Sequence, residues 1–166
     1  MIGYVIMALV TAQRLSELVI SARNTRALRA QGAVEIGRAH YPTMVALHTA
    51  WLAVLWATVG GRAVVWPLIT VFVVLQALRV WVLATLGERW TTRIIVLPGA
   101  PLVTGGPFRW LRHPNYCVVV GEIFVLPMAF GLVWVALVFS ALNAAMLWVR
   151  IGAESRALYA PARARL

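Results

Sequence analysis

Long apolar runs alternate along this chain with short segments rich in arginine, glycine and proline. A helix that crosses a bilayer needs about 20 mostly apolar residues. Five runs approach that length, at 2–21, 42–59, 63–86, 116–130 and 132–149. Pro42 suits the first turn of the second run. Gly60-Gly61 turns the second run into the third, and Gly131 turns the fourth into the fifth. Pro127 should kink or end the fourth helix early, leaving the last pair as a short hairpin. The pattern therefore predicts an all-α integral membrane bundle of about five transmembrane helices, one domain over residues 1–166, with a short helix following the fifth span. Met1 to Val10 is apolar but has no basic flank or small-residue cleavage site, so it reads as a retained first span.

Composition agrees with that class. Hydrophobic residues make up 62% of the chain and charged residues only 12%, and the mean hydropathy is +0.84, far above a soluble domain. The net charge is +10, with all fifteen basic residues arginine. These arginines flank apolar spans, so anionic membrane lipids are the expected counter-charge and nucleic acid is not. The abundance of alanine, valine and arginine suggests a bacterial source. Arg23, Arg26, Arg29 and Arg38 fall in the first loop, Arg89, Arg93, Arg109 and Arg112 in the third, and Arg150, Arg156, Arg163 and Arg165 after the fifth span. Only Arg62 falls in a loop on the other side. By the positive-inside rule the N-terminus is outside and the C-terminus cytosolic, in the bacterial inner membrane. The single Cys117 excludes an internal disulfide and a multi-cysteine metal site. Trp51, Trp56, Trp66 and Trp81 suit interfacial anchors or contacts in a homo-oligomer.

The third loop, Gly87 to Asn115, is too long for a plain connector. Arg93 to Leu97 is apolar and β-branched, Pro98-Gly99-Ala100-Pro101 turns it, and Leu102 to Pro107 is rich in glycine and proline. Non-helical backbone at membrane depth is tolerated only in contact with protein or lining a cavity. Arg93 to Tyr116 is therefore expected to form one wall of a ligand site. Gly105-Gly106 lacks the spacing of a dinucleotide-binding turn.

Ionisable groups at a bilayer edge are costly and commonly functional. Pro114 disfavours helix at His113 and opens the next one, which leaves His113 beside the free amides of a helix start. Surface anchoring by Arg112 and His113 is the plainer alternative. Arg150 and Glu154, four apart, share a helix face, as a surface ion pair or as part of the same site. Arg14 and Glu17 are three apart and can pair. Glu122, two turns into the fourth span, needs a partner such as Arg79 or a proton. Glu17, His40 and Glu122 are also candidates for substrate contact. Gln13, Asn24, Glu35, Tyr41 and His48 complete a second polar set, whose spacing does not supply a metal site.

The stretches Leu102-Val103-Thr104-Gly105-Gly106-Pro107-Phe108, Arg112-His113-Pro114-Asn115-Tyr116 and Arg150-Ile151-Gly152-Ala153-Glu154 resemble the isoprenylcysteine carboxyl methyltransferase family of integral membrane methyltransferases. Glu17, Asn24, Gly32 to Glu35, His40-Tyr41-Pro42 and His48 look like a bacterial subgroup associated with type III polyketide synthases and with O-methylation of alkylpyrones. The resemblance implies a cytosolic loop that binds S-adenosylmethionine. Ala100, Pro101, Leu102, Val103 and Phe108 would line it, His113, Pro114, Asn115 and Tyr116 would hold its polar end, and Glu154 would complete it. Arg150 would face the acidic oxygen of a lipophilic acceptor entering from the bilayer. Three positions depart from the family pattern. Arg93 differs in type from the cofactor-contacting residue it aligns with, Phe108 replaces a common tyrosine, and Ser155 replaces a second acid.

The expected activity is O-methylation of a carboxylate or hydroxypyrone. Such an acceptor is already anionic, so no general base is needed. The competing expectations are an NADPH-dependent sterol-type reductase, a phospholipid N-methyltransferase and a non-catalytic lipid-binding membrane subunit.

Overall fold

The computed structural model describes residues 1–163, with side-chain surroundings through residue 157; the predicted basic residue Arg165 lies outside the described residues, and so does the side chain of Arg163. Five helices dominate: α1 Ile2–Ala30, α2 Tyr41–Thr58, α3 Trp66–Leu86, α4 Pro114–Met128 and α5 Val133–Arg163. Among the described residues, the helices long and apolar enough to cross a membrane are Ile2–Ala30, Trp66–Arg89 and Val133–Ala157. The all-α membrane bundle is thus the observed class.

Several boundaries differ from those the hydropathy pattern predicts. The first helix continues nine residues past Ser21, because residues 22–30 are mostly good helix formers and end before Gly32 at φ +88°. At 1.5 Å per residue its 29 residues span about 44 Å, more than the hydrocarbon core of about 30 Å. Its arginine-bearing end therefore projects beyond the apolar layer. The predicted short C-terminal helix is not separate. α5 runs unbroken from Val133 to Arg163, since the single Gly152 costs only about 1 kcal/mol in a helix interior. α4, with 15 residues, extends only about 22 Å. It ends one residue after Pro127, whose carbonyl accepts from the Phe130 and Leu132 amides, and Gly131 at φ +68° completes the turn into α5.

α4 packs between α3 and α5, while α2 contacts α1 and α5. The core combines Met7 and Val10 of α1, Trp51 and Leu55 of α2, Phe72 of α3, Ile123 and Leu126 of α4, and Phe130 beyond it. Trp51 is only 2% exposed, so it is a core residue and not the interfacial anchor its position suggested; Trp56, Trp66 and Trp81 remain exposed. Gly121 lets α4 approach α3: a Cβ there would stand 2.8 Å from the Leu75 side chain. Exposed apolar side chains such as Val73, Val74, Leu137 and Val138 form the outward faces expected of helices in lipid.

At the arginine-rich end lies an element that hydropathy alone does not reveal. Val34–Ile36 (β1) pairs antiparallel with Ile94–Val96 (β2), matching Val34 with Val96, Glu35 with Ile95 and Ile36 with Ile94. This ribbon joins the first loop to the third and rests on α5. Asn24, buried on the projecting part of α1, donates to the carbonyls of Gly87 and Trp90 at 3.1 and 2.8 Å. Ser21 meets the Thr92 hydroxyl at 2.8 Å. The long loop is thereby fixed against the bundle.

Candidate functional site

His113 ends the irregular loop, and Pro114 starts α4 directly after it. One turn into α4, the Tyr116 hydroxyl donates to Glu154 of α5 at 2.7 Å. The His113 Nδ1 lies 3.7 Å from the same carboxylate. The His113 and Tyr116 rings stack with centroids 5.3 Å apart and planes 24° from parallel. Two sequence segments nearly 40 residues apart thus converge on one carboxylate.

Arg150 lies one turn before Glu154, yet no ion pair joins them among the described residues. Arg150 is 5% exposed and donates to the Thr92 carbonyl at 3.0 Å, just before the ribbon. It also acts electrostatically on Tyr116 and on His40. The surface-pair alternative for these two residues is therefore not what forms: Arg150 bonds the Thr92 carbonyl, Glu154 accepts from Tyr116 of α4, and both side chains act on the Tyr116 hydroxyl. His40 is held below the usual histidine range, first by burial and then by the Arg150 charge. Its Nε2 is buried without a hydrogen-bond partner.

The remaining loop residues differ in how firmly they are held. Ala100, Pro101, Leu102 and Val103 follow the turn in which the Ala100 amide donates to Leu97. Pro101 and Leu102 are exposed, and Ala100 and Val103 are partly buried. The Pro101 carbonyl accepts from Arg89 at 2.6 Å. Phe108 is half-buried in a short helical turn, Gly106–Arg109. Gly106 adopts φ +54° there, and a Cβ would stand 2.5 Å from the Thr85 hydroxyl, so the turn presses directly on α3.

Glu17 and Glu122 belong to a different constellation. Arg79 of α3, 4% exposed, donates to Glu17 at 3.0 Å and to both oxygens of Glu122. Arg14 bridges the same two acids at 3.0 and 2.8 Å. Gln13 and Gln76 bond each other at 2.7 Å and reach Glu17 and Glu122 respectively. The charges balance: two arginines against two glutamates. The expected Arg14–Glu17 and Arg79–Glu122 pairs both form, joined into one network. Among the described residues no hydrogen bond or ion pair joins this network to Glu154. Gln76 was not singled out in the sequence; its signal was one amide in an otherwise apolar span, three residues before Arg79.

Thr92 and the Glu35 clamp were also not legible as partners. Glu35 is gripped by Arg29 and Arg93, with Arg93 Nη1 2.5 Å from its carboxylate. Burial raises the Glu35 pKa, but the two guanidiniums outweigh it and hold the carboxyl below its usual range. Arg93 also covers the Tyr41 ring, 3.9 Å from its centroid. Among the described residues no cluster of three metal-ligating side chains occurs.

The polar end of S-adenosylmethionine carries an ammonium, a carboxylate and ribose hydroxyls. The residues present suit such a group. Asn115 Oδ1 is buried without a partner and can accept a hydrogen bond. In the first turn of α4 the Tyr116 and Cys117 amides donate to the His113 carbonyl, which leaves the Asn115 amide as the turn's donor. The Glu154 carboxylate, bonded to Tyr116, can accept from the ammonium or a ribose hydroxyl.

Comparison with known proteins agrees with the geometry. Residues 68–160 match the isoprenylcysteine carboxyl methyltransferase (ICMT) family. The chain is 37% identical over 160 residues to the uncharacterized protein YpbQ of Bacillus subtilis, covering 93% of this chain and 95% of that one. It is 28% identical over 159 residues to an uncharacterized protein of Haemophilus influenzae, covering 91% of each. No solved structure matches. The matched segment contains α3, the loop, α4 and the His113–Tyr116–Glu154 cluster, and on that basis the chain belongs to the isoprenylcysteine carboxyl methyltransferase family of S-adenosylmethionine-dependent membrane methyltransferases.

Proposed function

We propose that this enzyme O-methylates an acidic oxygen, a carboxylate or hydroxypyrone, on a lipophilic acceptor that enters from the bilayer of the bacterial inner membrane. The reading places the ribbon and the His113 loop on the cytosolic side. The observation that carries it is that Arg150 and Glu154, one turn apart, form no ion pair with each other. Glu154 is committed to His113 and Tyr116, where it serves the cofactor's polar end. Arg150 remains buried, with the Thr92 carbonyl and the Tyr116 hydroxyl beside it and no carboxylate paired to it among the described residues. A guanidinium carries five donors in a fixed fork, so Arg150 retains capacity to bind an acceptor oxyanion.

S-adenosylmethionine, when bound, supplies an electrophilic methyl group. His113, Asn115 and Tyr116 orient the polar end of that ligand, and Glu154 fixes Tyr116 in place. Arg150 holds the acceptor oxygen in its ionised form and aligns it. An anion needs no deprotonation, so no general base is required of the neighbouring side chains. Alignment of this kind can supply several kcal/mol of the barrier reduction.

The test uses membranes containing the protein, S-adenosylmethionine labelled in the methyl group, and lipid extraction. Label in an apolar acidic lipid supports the reading. Release as methanol in mild base identifies a carboxyl ester, and resistance identifies an enol ether. Label confined to amine headgroups would overturn it in favour of N-methylation.

A further inference from the structure

A cavity of about 250 Å³ lies between the projecting end of α1 and the start of the ribbon, and neither His113 nor Glu154 lines it. Its wall includes Arg29, Arg38 and Arg93, with Ser21, Thr25 and Tyr41. Glu35 offsets only one of the three positive charges. Arg38 has no ion pair among the described residues and sits on an exposed turn. Thr25 is 7% exposed, and its hydroxyl is buried without a partner. Excess guanidinium charge plus an unused hydroxyl donor is the donor set of a phosphate site. The volume corresponds to several waters, ample for a phosphate group.

A second observation bears on the source of that phosphate. Tyr41 and Arg93 line this cavity and also close one end of an apolar groove along the outer face of α2. Val45, Ala46, Ala50 and Ala53 floor the groove, and Val45, Ala46, Ala50 and Ala53 are all exposed at the bundle surface. An acyl chain lying along α2 would bring its headgroup to Arg93.

We propose that the Arg29–Arg38–Arg93 cavity binds a phosphate group, and that the α2 groove makes an anionic phospholipid its source. The site meets the Arg150 contact at Thr92 but includes none of His113, Tyr116 or Glu154, and its test reads lipid and phosphate binding and not methyl transfer.

Detergent-purified protein is offered phosphatidylglycerol or phosphatidylcholine, and retained lipid is counted by native mass spectrometry. Inorganic phosphate binding is measured by calorimetry in parallel. Arg38→Gln removes the unpaired cation without touching the Glu35 clamp. Arg26→Gln makes the same charge change on an exposed position of α1 outside the cavity. Ala50→Trp fills the groove alone. Retention of phosphatidylglycerol over phosphatidylcholine, reduced about tenfold by Arg38→Gln and by Ala50→Trp but not by Arg26→Gln, supports the lipid site. Inorganic phosphate binding that Arg38→Gln weakens, with Ala50→Trp without effect in either assay, supports the phosphate site and overturns the lipid as its source. Equal losses in Arg38→Gln and Arg26→Gln, or no selective binding of either probe, overturn the proposal.

Discussion

Arg150 is the residue on which the proposed chemistry turns. It is buried against the Thr92 carbonyl and the Tyr116 hydroxyl, and no carboxylate pairs with it among the described residues. Arg150→Ala should lower turnover by about 10²- to 10³-fold, the usual loss on removing one donor to developing or reacting charge. Affinity for S-adenosylhomocysteine should fall by less than about threefold. Single-turnover methyl transfer and calorimetry separate the two effects, and unchanged turnover would remove Arg150 from the reaction. Arg150→Lys should recover little, because a point charge lacks the forked donor geometry. Arg150, His113 and Glu154 stand out in the sequence, since each is a polar residue where an apolar one would be cheaper, and the structure brings His113 and Glu154 together. Their partners were less so. That Arg150 would seek the Thr92 carbonyl depends on a ribbon closed between residues about 60 apart, and no local pattern encodes that contact.

Among the elements, the ribbon links the two arginine-rich loops, and its Glu35 clamp makes it pH-sensitive. The folded-state pKa of Glu35 is depressed, because Arg93 and Arg29 outweigh the burial that would raise it. A depressed carboxyl contributes stability above its ordinary pKa of about 4.5, and loses it as pH falls through the folded value. Thermal denaturation in detergent should therefore show an acid limb below about pH 4.5 that is shallower in Glu35→Gln. Identical pH profiles for the two proteins would remove the clamp from the stability balance. The strand Ile94–Val96 was visible as a β-branched run, and Val34-Glu35-Ile36 alternates as a strand should. Three-residue strands fall below what periodicity can assign, so their pairing required the structure. Helix ends were misplaced for a related reason. Hydropathy marks where a helix leaves lipid, whereas α1 and α5 continue as helices beyond that point.

Across the whole molecule, the neutral cluster of Arg14, Glu17, Arg79 and Glu122 ties α1, α3 and α4 together inside an otherwise apolar bundle. Removing one member leaves an uncompensated buried charge, which costs about 3–5 kcal/mol. Arg79→Met should accordingly lower Tm substantially in detergent, whereas the paired change Arg79→Met with Glu122→Gln should cost less than the single one. Equal losses would show that charge balance is not what the cluster provides. The same architecture separates three tasks. The ion cluster holds the spans, the ribbon anchors the loops, and the His113–Tyr116–Glu154 cluster, where α4 begins, is the proposed ligand site. Calorimetric titration of S-adenosylhomocysteine into the detergent-purified protein, beside a His113→Ala variant confirmed as folded, tests that last assignment most directly. The account predicts saturable one-site binding that the substitution abolishes. Absent binding by the folded parent protein, or equal binding by the variant, would contradict it.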